Sequence, residues 1–427
     1  SNMTKITAPD QISRITSAVD HLATITEPDR PHTRLVFSPE FDRGRDWLRK
    51  TFLAAGLKCH IDAGGNLIGV RKGKQNVDNA GKVIIGSHID TVPAGGRFDG
   101  IAGVVAALEV VHYLNEKEIE LPFDLEIVDY LGEELNVWGT SCLGSRHMAG
   151  LITSEMLERI DSDGRRLGAE VARIGGSGQA SDGPRSDASQ IKACLELHIE
   201  QAKILDSNGQ DIGIVTSIPG IYRYGISITG QAGHSGTTSM AERQDALVTA
   251  ADIIQKTSAL ASEIARDENQ HFVATIGKID VFPNGAAIVP GEVEMTLDLR
   301  AVNDRARTSF FEAFEQACDR AAKTRNCKVT VRQFAAADVA PMNGDLMTML
   351  EDSAKANGLS AINISSGAGH DTAHLSRIAP VAMVFIPCRD GLSHCPEEYA
   401  SPEAIAKGAT VLTGCVMGLA DETVQVS

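Results

Sequence analysis

His88 and Asp90 stand two residues apart in the stretch Gly86-Ser-His-Ile-Asp-Thr-Val-Pro93, just after the short apolar run Lys82-Val-Ile-Ile85. In an extended segment alternate side chains point the same way, so an imidazole is set beside a carboxylate, a combination that suits a metal ligand and its orienting partner. Asp99 follows, flanked by Gly95, Gly96 and Gly100, whose freedom would let the backbone bring its carboxylate back over the strand end. Taken alone, the stretch also reads as an ordinary strand-to-helix turn with a capping aspartate.

Other stretches carry similar chemistry. The run Phe123-Asp-Leu-Glu-Ile-Val-Asp-Tyr130 ends in Leu131-Gly-Glu133-Glu134, and adjacent carboxylates at a strand end point apart, one suited to a metal and one to a general base. An acidic pair is usually a solvated surface, but the strand before this one is apolar. Cys194-Leu-Glu-Leu-His198-Ile-Glu-Gln201 sets Leu195, Leu197 and Ile199 on one face and Glu196, His198 and Glu200 on the other. His198 reads either as a core histidine or as a polar group at a strand end, where open α/β sheets place ligands. A further apolar strand, Val381 to Pro387, leads to Gly391-Leu-Ser-His394-Cys-Pro396. His370 and His374, four apart where a glycine-rich turn enters a helix, would share a face: they either bind a metal of their own or face a substrate. Five strand ends or adjoining loops thus offer His88, Asp99, Glu134, His198 and His394. Three imidazoles and two carboxylates suit two borderline divalent cations such as zinc or manganese, with an aspartate bridging.

These residues need a scaffold. Ile12, Ile15, Val19 and Leu22 make one helical stripe, Phe41, Trp47, Leu48 and Phe52 another, and Ile101 to Leu114 a third helix. Cys59 to Arg71 alternates as a strand pair, and Ser154 to Ile160 reads as a short helix before the loop from Gly175 to Asp187. The order then changes: strand Ile221 to Thr229, helix Met240 to Arg266, strands His271 to Val281 and Gly291 to Arg300, helix Asp304 to Thr324, strand Lys328 to Phe334. That is the ferredoxin-like β-α-β-β-α-β pattern, complete in itself. The expected fold is α/β: a large domain at 1–217 and 337–427 with a mixed, mainly parallel sheet flanked by helices, and an inserted ferredoxin-like domain at 218–336. On that insert His234, Pro283-Asn284 and Asp298-Leu-Arg300 are conspicuously polar, and Arg300 reads either as solvated or as the partner of a substrate carboxylate.

The chain has 427 residues, 43% of them hydrophobic and 22% charged, with a net charge of -16. That charge argues against nucleic acid and anionic membrane surfaces as partners. No apolar run approaches the roughly 18 residues of a membrane span, and the first residues lack an apolar signal core, so a cytoplasmic enzyme is expected. The eight cysteines are scattered and form no C-x-x-C pair, which suits neither a disulfide framework nor a thiolate zinc site. Cys395 beside His394 lacks the base and orienter that a nucleophile needs.

The order of Gly86-Ser-His-Ile-Asp-Thr-Val-Pro93, Gly96-Arg-Phe-Asp-Gly100, Glu133-Glu134, Leu197-His-Ile-Glu-Gln201, Gly233-His-Ser-Gly-Thr-Thr238, Pro283-Asn284, Asp298-Leu-Arg300, Ser366-Gly-Ala-Gly-His-Asp371 and Ser393-His394 resembles a known family. It is that of the dinuclear metal-dependent amidohydrolases related to aminoacylases and carboxypeptidase-like peptidases, and within it the branch of N-carbamoyl-L-amino acid hydrolases and allantoate amidohydrolases. The resemblance implies two divalent cations, zinc or manganese, with nickel and cobalt as further candidates. His88 and His198 would hold one, Glu134 and His394 the other, with Asp99 between them. It further implies Glu133 as general base, Asp90 as the orienter of His88, and Gln201, His234, Asn284, Arg300, Gly367 and His370 as residues around the substrate. The substrate would be a small molecule with a carboxylate and a ureido or amide group. The insert would serve as a lid and as the contact surface of a homodimer. An imidazole at His198 resembles the carbamoylase branch, since the peptidase relatives tend to carry a carboxylate there. A peptidase or aminoacylase, or a non-catalytic binding relative, would be the competing readings. One departure stands out: where the branch usually continues Glu-Glu-Gly-x-Arg-Phe, this chain has Glu133-Glu-Leu-Asn-Val-Trp138.

Overall fold

Val83, Ile84 and Ile85, Leu125, Ile127 and Val128, and Leu195, Leu197 and Ile199 are all buried, so these runs are covered on both faces, as the strands of a parallel sheet must be. The computed structural model describes residues 9–267 and 271–426. Two compact units emerge, one running to Ser217 and resuming at Pro341, the other spanning Ile218–Ala340.

The first unit is built on an eight-stranded sheet in the order Lys58–Ile61, Leu67–Arg71, Asp124–Asp129, Lys82–Ser87, Ile191–Ile199, Val381–Ile386, Ile212–Val215, Ala361–Ile364. The four central strands, from Asp124–Asp129 to Val381–Ile386, run parallel. Antiparallel pairings flank them on both sides. Because the four run the same way, their C-terminal ends at Asp129, Ser87, Ile199 and Ile386 line one edge of the sheet. Every candidate ligand lies at or after one of those ends, His198 as the last residue but one of its strand, at the edge where open α/β sheets bind ligands. The strands Ile212–Val215 and Ala361–Ile364 escape the sequence reading, because four residues are too few to display a period.

Helix Ile101–Glu116 is buried almost all round, lying between the central sheet and helix Pro402–Val426. The latter is long and apolar enough by composition to cross a membrane, but Ile405, Ala406, Val411, Leu412, Cys415 and Val416 are fully buried inside the first unit, as in a core helix.

The second unit has strands Gly220–Thr229, Phe272–Phe282, Glu292–Ala301 and Lys328–Ala337, with helices Ala246–Asp267 and Asp304–Arg325. The strands pair in the order Phe272, Glu292, Gly220, Lys328, all antiparallel, which is the ferredoxin-like arrangement. Its core joins Ile226, Val293, Leu297 and Leu299 to Ile253, Phe310 and Phe314. The first helix starts at Ala246 and not at Met240: the Asp245 carboxylate accepts the Leu247 and Val248 N–H groups, while Met240–Glu242 forms a separate short 3-10 turn.

Candidate metal centre

Two of the parallel strand ends are braced by charge. Arg45 donates to the Asp129 carboxylate at 2.6 Å, and that carboxylate accepts the Ile89 N–H at 3.0 Å, which fixes the chain between His88 and Asp90. Asp99 reaches the centre through a turn that only glycine permits. Gly100 has φ +74, and a Cβ there would lie 2.4 Å from the His88 carbonyl and 2.5 Å from its Nε2.

Asp99 lies at the middle. Its Oδ1 is 3.0 Å from His198 Nε2 and 3.4 Å from His88 Nε2, and its Oδ2 is 2.9 Å from His394 Nε2. Glu134 Oε2 lies 3.4 Å from His394 Nε2, and Glu133 Oε2 lies 3.4 Å from His88 Nε2. Two groups with the spacing of a metal site result, His88–Asp99–His198 and Asp99–Glu134–His394, sharing Asp99. Among the described residues these are the groups that could hold a cation, and neither His370 nor His374 belongs to them.

The donor set fits divalent cations. His88 Nε2 and Glu134 Oε2 are buried without a hydrogen-bond partner, although opposing groups lie within 3.4 Å, as expected of atoms aimed at an ion and not at each other. The electrostatics agree. Burial, reinforced by Glu134, pushes Glu133 well above the usual carboxyl range, and burial together with Asp99 raises Glu134. Burial opposes the charge on Asp99 too, but the neighbouring imidazoles, His198 first and then His394 and His88, hold it well below its ordinary value. The Asp99 and Glu134 carboxylates push His394 up to about 11. A pocket that presses Glu133 and Glu134 toward neutrality and its imidazoles toward positive charge lacks positive charge, which divalent ions would supply.

The outer groups divide the remaining work. His88 Nδ1 faces the Asp90 carbonyl at 3.0 Å, with Asp90 Oδ1 at 3.4 Å, so Asp90 orients the ring mainly through its backbone. The Asp90 carboxylate accepts the Glu133 and Glu134 N–H groups, both at 3.1 Å, and holds the acidic loop in place. His198 Nδ1 is 2.9 Å from the Ile199 carbonyl. Glu196 accepts from Ser87 and Thr372, while Glu200 caps the turn at Ile204 and Leu205, so both carboxylates are engaged elsewhere and neither joins the two groups. Gln201 Nε2 lies 3.3 Å from Asp99 Oδ2 and donates to Ser393 Oγ at 2.8 Å. Gln201 and His394 both hold positive φ, +62 and +56, a strained conformation for residues with side chains and one that gathers at functional sites.

His370 packs its ring 4.5 Å from that of His198, with Nε2 at 3.1 Å from Ser366 Oγ, and Gly367 is exposed beside it. Burial, with Arg146 and Arg377 adding to it, holds the His374 ring well below its ordinary value and so neutral. In the second unit His234 is exposed and accepts the Gly236 N–H at 2.9 Å, and Asn284 is exposed with φ +61. Arg300 grips Asp298, Nε to Oδ1 at 2.8 Å, and Arg223 shares that carboxylate at 3.0 Å. Arg300 is therefore neither simply solvated nor wholly open to a ligand.

Sequence reasoning missed Glu398. Its Oε1 accepts the Phe98 and Asp99 N–H groups, both at 2.9 Å, while its Oε2 accepts the Ser393 hydroxyl at 2.7 Å and the His394 N–H at 3.3 Å. It is buried so tightly that a Cβ on Gly96 would lie 2.2 Å from Oε1. Being the second of an adjacent acidic pair was its one signal, and that usually marks a solvated surface.

Residues 84–418 match the family described as Peptidase family M20/M25/M40. The chain belongs to that family. Its relatives include an N-carbamoyl-L-amino-acid amidohydrolase of Pseudomonas sp. (strain NS671), 35% identical over 391 residues, which are 91% of this chain and 90% of that one. Another is an allantoate amidohydrolase of Bacillus subtilis (strain 168), 32% identical over 409 residues, covering 95% and 97%. A solved amidase of the hydantoinase/carbamoylase family from Burkholderia vietnamiensis superposes with a TM-score of 0.87 at 34% identity, covering 96% of this chain and 97% of that one. The chain is thus a hydrolytic enzyme of the amidohydrolase branch of a metal-dependent family.

Proposed function

We propose that the protein hydrolyses N-carbamoyl-L-amino acids, giving the free L-amino acid, ammonia and carbon dioxide. The observation that carries the reading is the meeting of His88, Asp99, Glu134, His198 and His394 in two groups sharing Asp99, with Glu133 beside them. In this reading His88 and His198 would hold one cation, Glu134 and His394 a second, and Asp99 would serve both. Two divalent ions, zinc or manganese, supply the charge that makes water acidic and a ureido carbonyl electrophilic. Glu133 takes the proton of the attacking water and returns it to the departing nitrogen. Asp90 keeps Glu133 in register through the loop amides it holds.

His234, Asn284 and Arg300 belong to the second unit, and their assignment to the substrate's carbonyl and carboxylate rests on the resemblance. A homodimer is supported by apolar exposure on that unit: Val273, Ile279 and Phe282 are exposed on Phe272–Phe282, an edge strand of its sheet. Cytoplasmic residence is supported by eight free thiols.

A second reading is allantoate or ureidoglycolate hydrolysis, because relatives of similar identity bear those names. Ammonia release decides between the two. The divalent-loaded and the chelator-stripped protein would be assayed against N-carbamoyl-L-amino acids, their D-forms, allantoate and ureidoglycolate. Metal-dependent release from the L-carbamoyl series alone is expected. Release from allantoate or ureidoglycolate alone would overturn the first reading in favour of the second, and cleavage of dipeptides alone would overturn both.

A further inference from the structure

We propose that the cavity walled by the Leu135–Trp138 loop is the subsite for the substrate's side chain, and that it selects an apolar one, aliphatic or aromatic. The proposal rests on the N-carbamoyl-L-amino acid reading above and narrows it.

The cavity, of about 690 Å³, lies within the first unit. Glu134 and Asp90 help line it, so one of its walls belongs to the candidate metal centre. Leu35, Val36, Leu135 and Trp138 supply apolar lining. Leu135 is 45% exposed and Val137 69%, side by side with a candidate ligand, and apolar surface displayed next to reacting groups calls for something to cover it. The loop is also fastened from behind. Asn136 Oδ1 accepts the Trp138 N–H at 2.9 Å, and its Nδ2 donates to the Thr140 carbonyl at 2.7 Å. Trp138 donates its indole N–H to the Arg165 carbonyl at 2.9 Å and meets Phe37 edge-on at 5.6 Å. The apolar wall is therefore held in place before any ligand arrives, which lowers the ordering cost of binding.

The occupant follows from the lining. Its apolar part, Leu35, Val36, Leu135, Val137 and Trp138, suits the side chain of leucine, methionine or phenylalanine, while most of the rest is polar. Allantoate and ureidoglycolate carry no apolar group to place there. Glu27, Asp29 and Glu40, which also line the cavity, outnumber the single cation there, Arg165, and oppose a carboxylate side chain. The loop sequence that departs from the usual pattern of the branch is the one that builds this wall.

The test compares kcat/KM of the divalent-loaded full chain for the N-carbamoyl derivatives of glycine, leucine, phenylalanine and aspartate, then repeats it with Leu135→Asp and Val137→Asp. Val137→Ser serves as a milder change should either fold poorly. The leucine and phenylalanine derivatives are expected to exceed glycine by about tenfold or more, with aspartate below glycine, and each variant should lower the leucine-to-glycine ratio by about tenfold. Equal values for glycine and leucine, or a ratio unmoved in every variant, would overturn the subsite and leave the carbamoylase reading standing. Ammonia from allantoate or ureidoglycolate with none from any carbamoyl amino acid would remove that reading, and the subsite with it.

Discussion

Glu398 and Asp99, 299 residues apart in the chain, are joined by a 2.9 Å hydrogen bond from the Asp99 N–H to Glu398 Oε1. The other oxygen of the same carboxylate holds Ser393 and the His394 N–H, so one buried group sets both the shared candidate ligand and the exposed imidazole. Replacing it by alanine would leave buried N–H groups unsatisfied and free both loops. Glu398→Ala is expected to lower divalent-ion affinity by about 10- to 100-fold, the usual scale for a group that supports metal ligands. Isothermal titration with manganese would measure it, and an affinity equal to wild type would remove Glu398 from that role.

Glu133 and Glu134 are neighbours in sequence with separate tasks. Glu133→Gln keeps size and hydrogen bonding while removing the base, so turnover should fall by about 10²- to 10⁴-fold with metal content unchanged. Elemental analysis beside the rate assay separates the two effects. Near-normal turnover would dismiss Glu133 as the base.

Asp99 is shared by the two groups, whereas His198 and His394 each belong to one. His198→Ala and His394→Ala are each expected to lose about half of the bound metal, and Asp99→Ala nearly all of it. Equal losses for all three would argue against a shared ligand.

Chelation should also lower thermal stability. Ions that bind the folded chain alone stabilise it by about 2.7 kcal/mol at a free concentration of 100 times Kd. Removing them leaves Glu133 and Glu134 buried beside Asp99 without compensating charge. A Tm unaffected by chelator would count against metal at this site.

Acid sensitivity has a source away from the centre. Arg185, and Lys82 after it, hold the Asp187 carboxyl well below the usual range. A depressed folded-state value contributes stability above the unfolded value of about 3.9, lost as pH falls through the folded one. Asp187→Asn should therefore be less stable than wild type at pH 6 and converge on it in strong acid. Urea titrations at several pH values would reveal parallel curves if the pair contributes nothing.

The residue types at the strand ends and the alternating runs before them were legible in the sequence, because ligand chemistry and a two-residue period are local properties. His88, Asp99, Glu134, His198 and His394 were therefore nameable, and so was the ferredoxin-like order of the second unit. Only the tertiary structure decided which distant groups meet. Parallel strands bring ends from Asp129, Ser87, Ile199 and Ile386 to one edge, and this places Glu398 under Asp99 and the Asp90 carboxylate under the Glu133–Glu134 amides. Such hydrogen bonds join residues dozens to hundreds of positions apart, and their partners are backbone N–H groups that every residue except proline carries. Spacing along the chain holds no trace of them.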